Sequence, residues 1–116
     1  MTANVQDWIR DQVTSNDVVL FMKGNKTMPQ CGFSGRIAQI LNYLSVDYKD
    51  INVLEDQAVR EGVKAYTNWP TIPQLYVKGE FIGGADIATE MFRSGELQQL
   101  LAEKGVEFEN RPTPAA

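Results

Sequence analysis

Residues 18–51 read VVLFMKGNKTMPQCGFSGRIAQILNYLSVDYKDI, and this stretch decides the architecture. Val18 to Met22 is a continuous apolar run of strand length, the pattern of a strand covered on both faces. A polar loop follows from Lys23 to Gln30, containing Gly24 and Pro29. From about Gly32 a helix is expected, because Ile37, Ile40, Leu41 and Leu44 recur at i, i+3, i+4 and i+7. Val46 to Ile51 reads as a short strand of mixed polarity. Strand, helix and strand with short connections form a βαβ unit, so the two strands should be parallel with a right-handed crossover.

Working outward, Val5, Trp8, Ile9 and Val13 share one face of a helix that should end near Ser15–Asn16. Downstream, a helix is expected over roughly Asp56 to Tyr66, with Val59, Val63 and Tyr66 inward. Trp69-Pro70-Thr71-Ile72-Pro73 is too proline-rich to be helical. Gln74 to Val77 and Glu80 to Ile82 flank Lys78-Gly79, a two-residue hairpin signal that implies antiparallel pairing. Gly83-Gly84 ends the strand, Asp86 is placed to cap a helix of about Ile87 to Arg93, and Leu97, Leu100 and Leu101 continue a last helical face after Gly95. The expectation is an α/β domain over residues 1–104, a four-stranded mixed sheet with helices on both faces. Residues 105–116, with Pro112 and Pro114, should form a flexible tail.

The 116 residues fit one domain and carry 11 basic and 15 acidic side chains, a net charge of −4. That balance argues against a nucleic-acid or anionic-membrane surface. No run approaches the ~18 apolar residues of a membrane span. Met1 to Asp11 lacks the basic and apolar regions of a secretory signal, so a cytoplasmic protein is expected; a mature organellar protein fits the same features.

Cys31 is the single cysteine and there is no histidine. An intramolecular disulfide, a one-chain Cys/His zinc site and histidine-based catalysis are all excluded. Cys31 stands between a loop and a helix, where free N–H groups and the helix dipole lower a thiol pKa. Lys23 and Lys26 would add to this if the loop turns them inward. A lone cysteine can also be a small core hydrophobe, but Gly32 removes bulk beside this one. Ser34 occupies the second cysteine position of a C-x-x-C dithiol. A mixed disulfide on Cys31 must therefore be released by an external thiol, which points to a small thiol cosubstrate. Ser34 itself is expected to satisfy an N–H of the first helical turn.

Met22-Lys23-Gly24, Cys31-Gly32-Phe33-Ser34, Trp69-Pro70-Thr71-Ile72-Pro73-Gln74 and Gly83-Gly84-Ala85-Asp86-Ile87 together resemble the monothiol glutaredoxins of the Cys-Gly-Phe-Ser class. The resemblance runs from about Val5 to Leu101. It implies a thioredoxin-like fold that binds glutathione beside the active cysteine. It further implies a [2Fe–2S] cluster bridged by Cys31 and a bound glutathione from each of two subunits. Two one-cysteine chains together supply two of the four thiolates such a cluster wants, and two glutathione thiols complete the set.

By the same resemblance Lys23 and Arg60 bind the glycyl carboxylate of glutathione, and Ile72, before a cis proline at 73, offers its backbone to the peptide. Ala85 and Asp86 hold the γ-glutamyl end, through a backbone N–H and the Asp86 side chain. Trp69 is read as a margin of this groove or as core. Many relatives carry a second cysteine where this chain has Ala85, so an internal disulfide with Cys31 is removed. The loop Lys26-Thr27-Met28-Pro29-Gln30 resembles the extended loop of this class, associated with weak oxidoreductase activity.

The implied function is a homodimeric iron–sulfur carrier delivering its cluster to apo-proteins, with BolA-like partners. The alternative is a glutathione-dependent thiol–disulfide oxidoreductase with Cys31 as nucleophile. A glutathione-binding module with neither activity is the third reading.

Overall fold

The computed structural model of the chain describes residues 4–113. Helix α1 (Val5–Ser15) starts at Asn4, whose side chain accepts the Gln6 N–H at 2.8 Å. Strand β1 (Val18–Met22) follows, then α2 (Gly32–Tyr43), β2 (Lys49–Asn52), a 3₁₀ turn (Val53–Glu55) and α3 (Gln57–Tyr66). The chain continues through β3 (Gln74–Val77), β4 (Glu80–Gly83), α4 (Ala85–Ser94) and α5 (Glu96–Glu103). The sheet order is β2-β1-β3-β4. β1 runs parallel to β2, with Val19 beside Lys49, and antiparallel to β3, with Val19 beside Tyr76. β3 and β4 form the expected hairpin.

All five residues of β1 and all four of β3 are buried, because helices cover both faces of the sheet. Val18, Leu20 and Met22 point to one face, where Ile37 and Leu41 of α2, Ala88 and Phe92 of α4, and Leu97 and Leu101 of α5 enclose them. Val19 and Phe21 point to the other, onto Ile9 and Val13 of α1 and Val59 and Val63 of α3. The apolar run thus divides by its period of two into separate cores. This is the expected four-stranded mixed sheet with helices on both faces.

Three local readings are corrected. The second strand begins at Lys49 rather than Val46, since Val46 and Tyr48 reach the core from irregular backbone before it. The fourth long helix begins at Ala85 with Gly84 as its N-cap, so Asp86 is a first-turn residue and makes no cap. The Ser34 hydroxyl accepts the Lys23 N–H at 3.0 Å instead of one from its own helix. Within the segment read as a tail, several residues make contacts with the domain. Val106 is buried in the core, its N–H bonds the Leu101 carbonyl, and the Glu109 N–H donates to the Leu44 carbonyl at 2.7 Å. The Tyr43 hydroxyl donates to the Pro112 carbonyl, and Arg111 pairs with Glu109. Residues 114–116 of that expected tail lie outside the described residues. Among the described residues no helix is long and apolar enough to cross a membrane.

The loop from β1 to α2 is held by side chains from the neighbouring strand. Asn52 Oδ1 accepts the Gly24 N–H at 3.0 Å and Asp50 Oδ2 accepts the Lys26 N–H at 2.8 Å. Gly24 has φ +87°, and a Cβ there would lie 2.5 Å from the Met28 carbonyl oxygen and 2.6 Å from the Gln30 nitrogen. Gly24→Ala is therefore expected to destabilise the fold by at least ~1 kcal/mol, read as a lowered urea midpoint at unchanged slope.

Candidate functional site

Cys31 is the N-cap of α2, in extended backbone at φ −154° and ψ 134°, and partly exposed. As a thiol it closes no capping hydrogen bond; the N–H groups facing it act on its ionised form. Its pKa is lowered, chiefly by the Ser34 N–H. Burial opposes the shift, and the Phe33 N–H, the Lys23 charge and the Ser34 hydroxyl assist it. A helix N-terminus favours the thiolate for the same reason it favours any anion. Of the two loop lysines only Lys23 contributes. Lys26 turns away, its Nζ donating to the Tyr48 carbonyl at 2.7 Å and lying 4.3 Å from the centre of the Tyr48 ring. Burial, followed by the Asp50 charge, pushes that tyrosine up to about 12.

One groove of about 680 Å³ opens beside the thiol, and Lys23, Cys31, Arg60, Ile72, Ala85 and Asp86 all line it. They arrive from separate elements: Lys23 follows β1, Arg60 lies on α3, Ile72 precedes β3, and Ala85 and Asp86 open α4. One part of the lining is cationic, with Lys23, Arg60 and Lys64. Elsewhere it includes the start of α4, whose first N–H groups have no acceptor within the helix. Arg60 Nε and Trp69 Nε1 are buried and without hydrogen-bond partners among the described residues. An anion with a terminal carboxylate at each end suits both the cations and the helix N-terminus.

The Ile72–Pro73 bond is cis. Gln74, fully buried, braces the segment before it. Its Nε2 donates to the carbonyls of Trp69 and Thr71 at 3.1 and 3.3 Å, and its Oε1 accepts the Tyr76 hydroxyl at 2.9 Å. Trp69 lies against Phe81, ring centres 5.5 Å apart, and its indole comes within 3.3 Å of where a Cβ on Gly84 would stand. Glycine is the residue that lets the two groove walls approach this closely.

The sequence reading passed over two residues here. Lys64 lines the groove one turn after Arg60 on α3, and that i, i+4 spacing was the available signal. Gln74 offered no signal, since its role depends on carbonyls that only the folded segment turns towards it.

The glutaredoxin family pattern matches residues 18–82. The chain is 56% identical over 89 residues to an uncharacterised monothiol glutaredoxin of Synechocystis, covering 77% of this chain and 83% of that one. Its fold matches the solution structure of a monomeric truncated mutant of Trypanosoma brucei 1-C-Grx1 with a TM-score of 0.84 and 42% identity. That match covers 94% of this chain and 99% of the other. A buckwheat glutaredoxin in complex with glutathione matches with a TM-score of 0.77 and 27% identity, over 87% of this chain and 90% of that one. The chain belongs to the glutaredoxin family, in its monothiol branch.

Two outcomes are expected. The alkylation rate of Cys31 should titrate below the ~8.5 of an ordinary thiol, and Ser34→Ala should move the midpoint upward. Because the folded pKa is the lower one, the stability it adds is complete above the unfolded thiol pKa and lost as pH falls through the folded value. Gln74→Ala should cost ~1–3 kcal/mol in urea unfolding, because it removes the acceptor of the buried Tyr76 hydroxyl and the amide that joins the Trp69 and Thr71 carbonyls.

Proposed function

We propose that the groove binds glutathione with its sulfur beside Cys31. A pair of these chains would then carry one [2Fe–2S] cluster for delivery to apo-proteins, with BolA-like proteins as partners. The observation that carries the reading is the meeting in one groove of a thiol of lowered pKa, three cations and a helix N-terminus. Lys23 and Arg60 would take the glycyl carboxylate. Ile72 would pair its backbone with the extended peptide, as a sheet edge does. The first N–H groups of α4 at Ala85 would take the γ-glutamyl carboxylate, and Asp86, freed from capping, its amine.

The chain's own donor set agrees with a cluster as cargo and excludes holding it alone. Among the described residues no group of three or more His, Cys, Asp or Glu converges, and the whole chain has one cysteine and no histidine. Space beside the thiol is open, since a Cβ on Gly32 would meet nothing within 4 Å. Phe33 and Met28, 63% and 69% exposed, supply apolar surface on either side of Cys31 in sequence, as a second copy would need. Cys31 would supply one thiolate per subunit and its glutathione the other.

The lowered thiol pKa also serves the second reading. As an oxidoreductase, the Cys31 thiolate would attack the glutathione sulfur of a mixed disulfide and release the protein thiolate. A second glutathione would then attack the Cys31-bound glutathione, giving glutathione disulfide and regenerating the thiolate. Ser34, buried and bonded to the Lys23 N–H, provides no resolving thiol. Both readings need a compartment rich in reduced glutathione, for which the cytoplasm is the natural choice.

Anaerobic reconstitution with iron, sulfide and glutathione should give a brown dimer with [2Fe–2S] absorption, and Cys31→Ser should give none; equal reconstitution of that variant would sink the carrier reading. Turnover of a glutathionylated substrate should be slow in the same preparation, and fast turnover without a cluster would favour the oxidoreductase. Lys23→Ala and Arg60→Ala should each weaken glutathione binding about tenfold or more, measured calorimetrically, since each loses a charge-assisted hydrogen bond.

A further inference from the structure

A second groove leaves Cys31 and shares only that residue with the first. It consists of two adjoining cavities along α2, of about 450 and 560 Å³, which have Arg36 and Gln39 in common. The nearer begins at Cys31. The farther is lined by Arg93, by the rims of the largely buried Ile40 and Phe92, by Tyr43, whose hydroxyl donates to the Pro112 carbonyl, and by Thr113.

Its charge sets it apart from the rest of the surface. Among the described residues no acidic one lines either cavity, although the chain has 15 acidic side chains against 11 basic ones. Arg36 and Arg93 are exposed, and among the described residues neither belongs to an ion pair. Thr89 Oγ1, in the lining of the farther cavity, is buried and has no hydrogen-bond partner among the described residues. Two uncompensated guanidinium groups beside an apolar lining select a ligand that is anionic and partly apolar.

The dimensions indicate a chain rather than a small molecule. From Cys31 to Tyr43 the helix rises ~18 Å at ~1.5 Å per residue. An extended peptide covers that length with about six residues at ~3.3 Å each.

We propose that this groove docks an extended acidic segment, with interspersed apolar side chains, of the protein partner that meets Cys31. Arg36 and Arg93 pair with its carboxylates, and Ile40, Tyr43 and Phe92 take its apolar side chains. The thiol then stands where a small ligand in the first groove and a protein segment in the second converge. Cys31 as the point of exchange rests on the proposed function; the docking surface has its own readout.

The probe is a fluorescein-labelled peptide, Glu-Leu-Glu-Phe-Glu-Leu, titrated with the full chain by anisotropy, beside a control with lysine at every glutamate. The acidic peptide should bind and weaken with added salt, and the lysine peptide should bind at least tenfold more weakly. The double variant Arg36→Glu with Arg93→Glu should lose at least tenfold affinity for the acidic peptide while its thermal midpoint and glutathione binding stay unchanged. Both arginines are exposed, so the fold does not depend on them. Equal binding of the two peptides, equal binding by the variant, or no binding at all would overturn the proposal. So would acidic-peptide binding that appears only in a chain ending at Thr113, or a change in oligomeric mass in the double variant. The first would make the chain's own last residues the occupant and the second a further copy. Absence of glutathione binding in the unaltered chain would instead remove the reading of the first groove and leave the peptide result to stand by itself.

Discussion

The hydrogen bond from the Lys23 N–H to the Ser34 hydroxyl, 3.0 Å long, joins the end of the central strand to the first turn of α2. The placement of the thiol depends on that junction. β1 is buried on both faces and cannot shift without moving two cores. Ser34 is fully buried, so α2 is registered to the strand where it begins. The result places Cys31 at the helix cap and brings Lys23 to the same groove. A hydroxyl at this place therefore has a structural task as well as an electrostatic one. It holds the strand end, and it stabilises the ionised thiol three residues before it.

The rest of the site is assembled on the same logic of borrowed support. The loop before Cys31 is tied to β2 by Asn52 and Asp50, and the segment before β3 is tied to Gln74. None of these three side chains lines the groove. They fix the backbone of the loop before Cys31 and of the segment before β3, both of which border the groove. Binding to such a pre-formed groove loses less entropy to loop ordering. Acidic overall charge is compatible with an anionic ligand because three cations, Lys23, Arg60 and Lys64, line this one groove.

Much of the fold was legible because its signals are local. Val18–Met22, the i, i+3, i+4 repeat from Ile37 and the Lys78-Gly79 turn each report a period or a backbone conformation within a few residues. Less legible were features set by distant partners. Val46 and Tyr48 alternate like strand residues yet lie in irregular backbone that packs on the core. Val106 and Glu109 look like part of a polar terminal segment, but a buried valine and the Leu44 carbonyl hold them against α2 and α5. Asp86 has the right chemistry for a cap, but the helix starts two residues earlier, with Gly84 as N-cap where Trp69 approaches closely.

By itself the sequence determined the inventory of chemistry: one thiol, no imidazole, a serine where a second thiol would stand, and hence no resolving thiol within the chain. Residue type alone settles these, since no folding can create a ligand the chain lacks. Tertiary structure alone decided which charges act together. Lys23 reaches the thiol and Lys26 does not, Lys64 joins Arg60, and Arg36 and Arg93 meet on another face. Electrostatic influence falls with distance and with solvent between the groups, and those distances exist only once the helices have closed over both faces of the sheet.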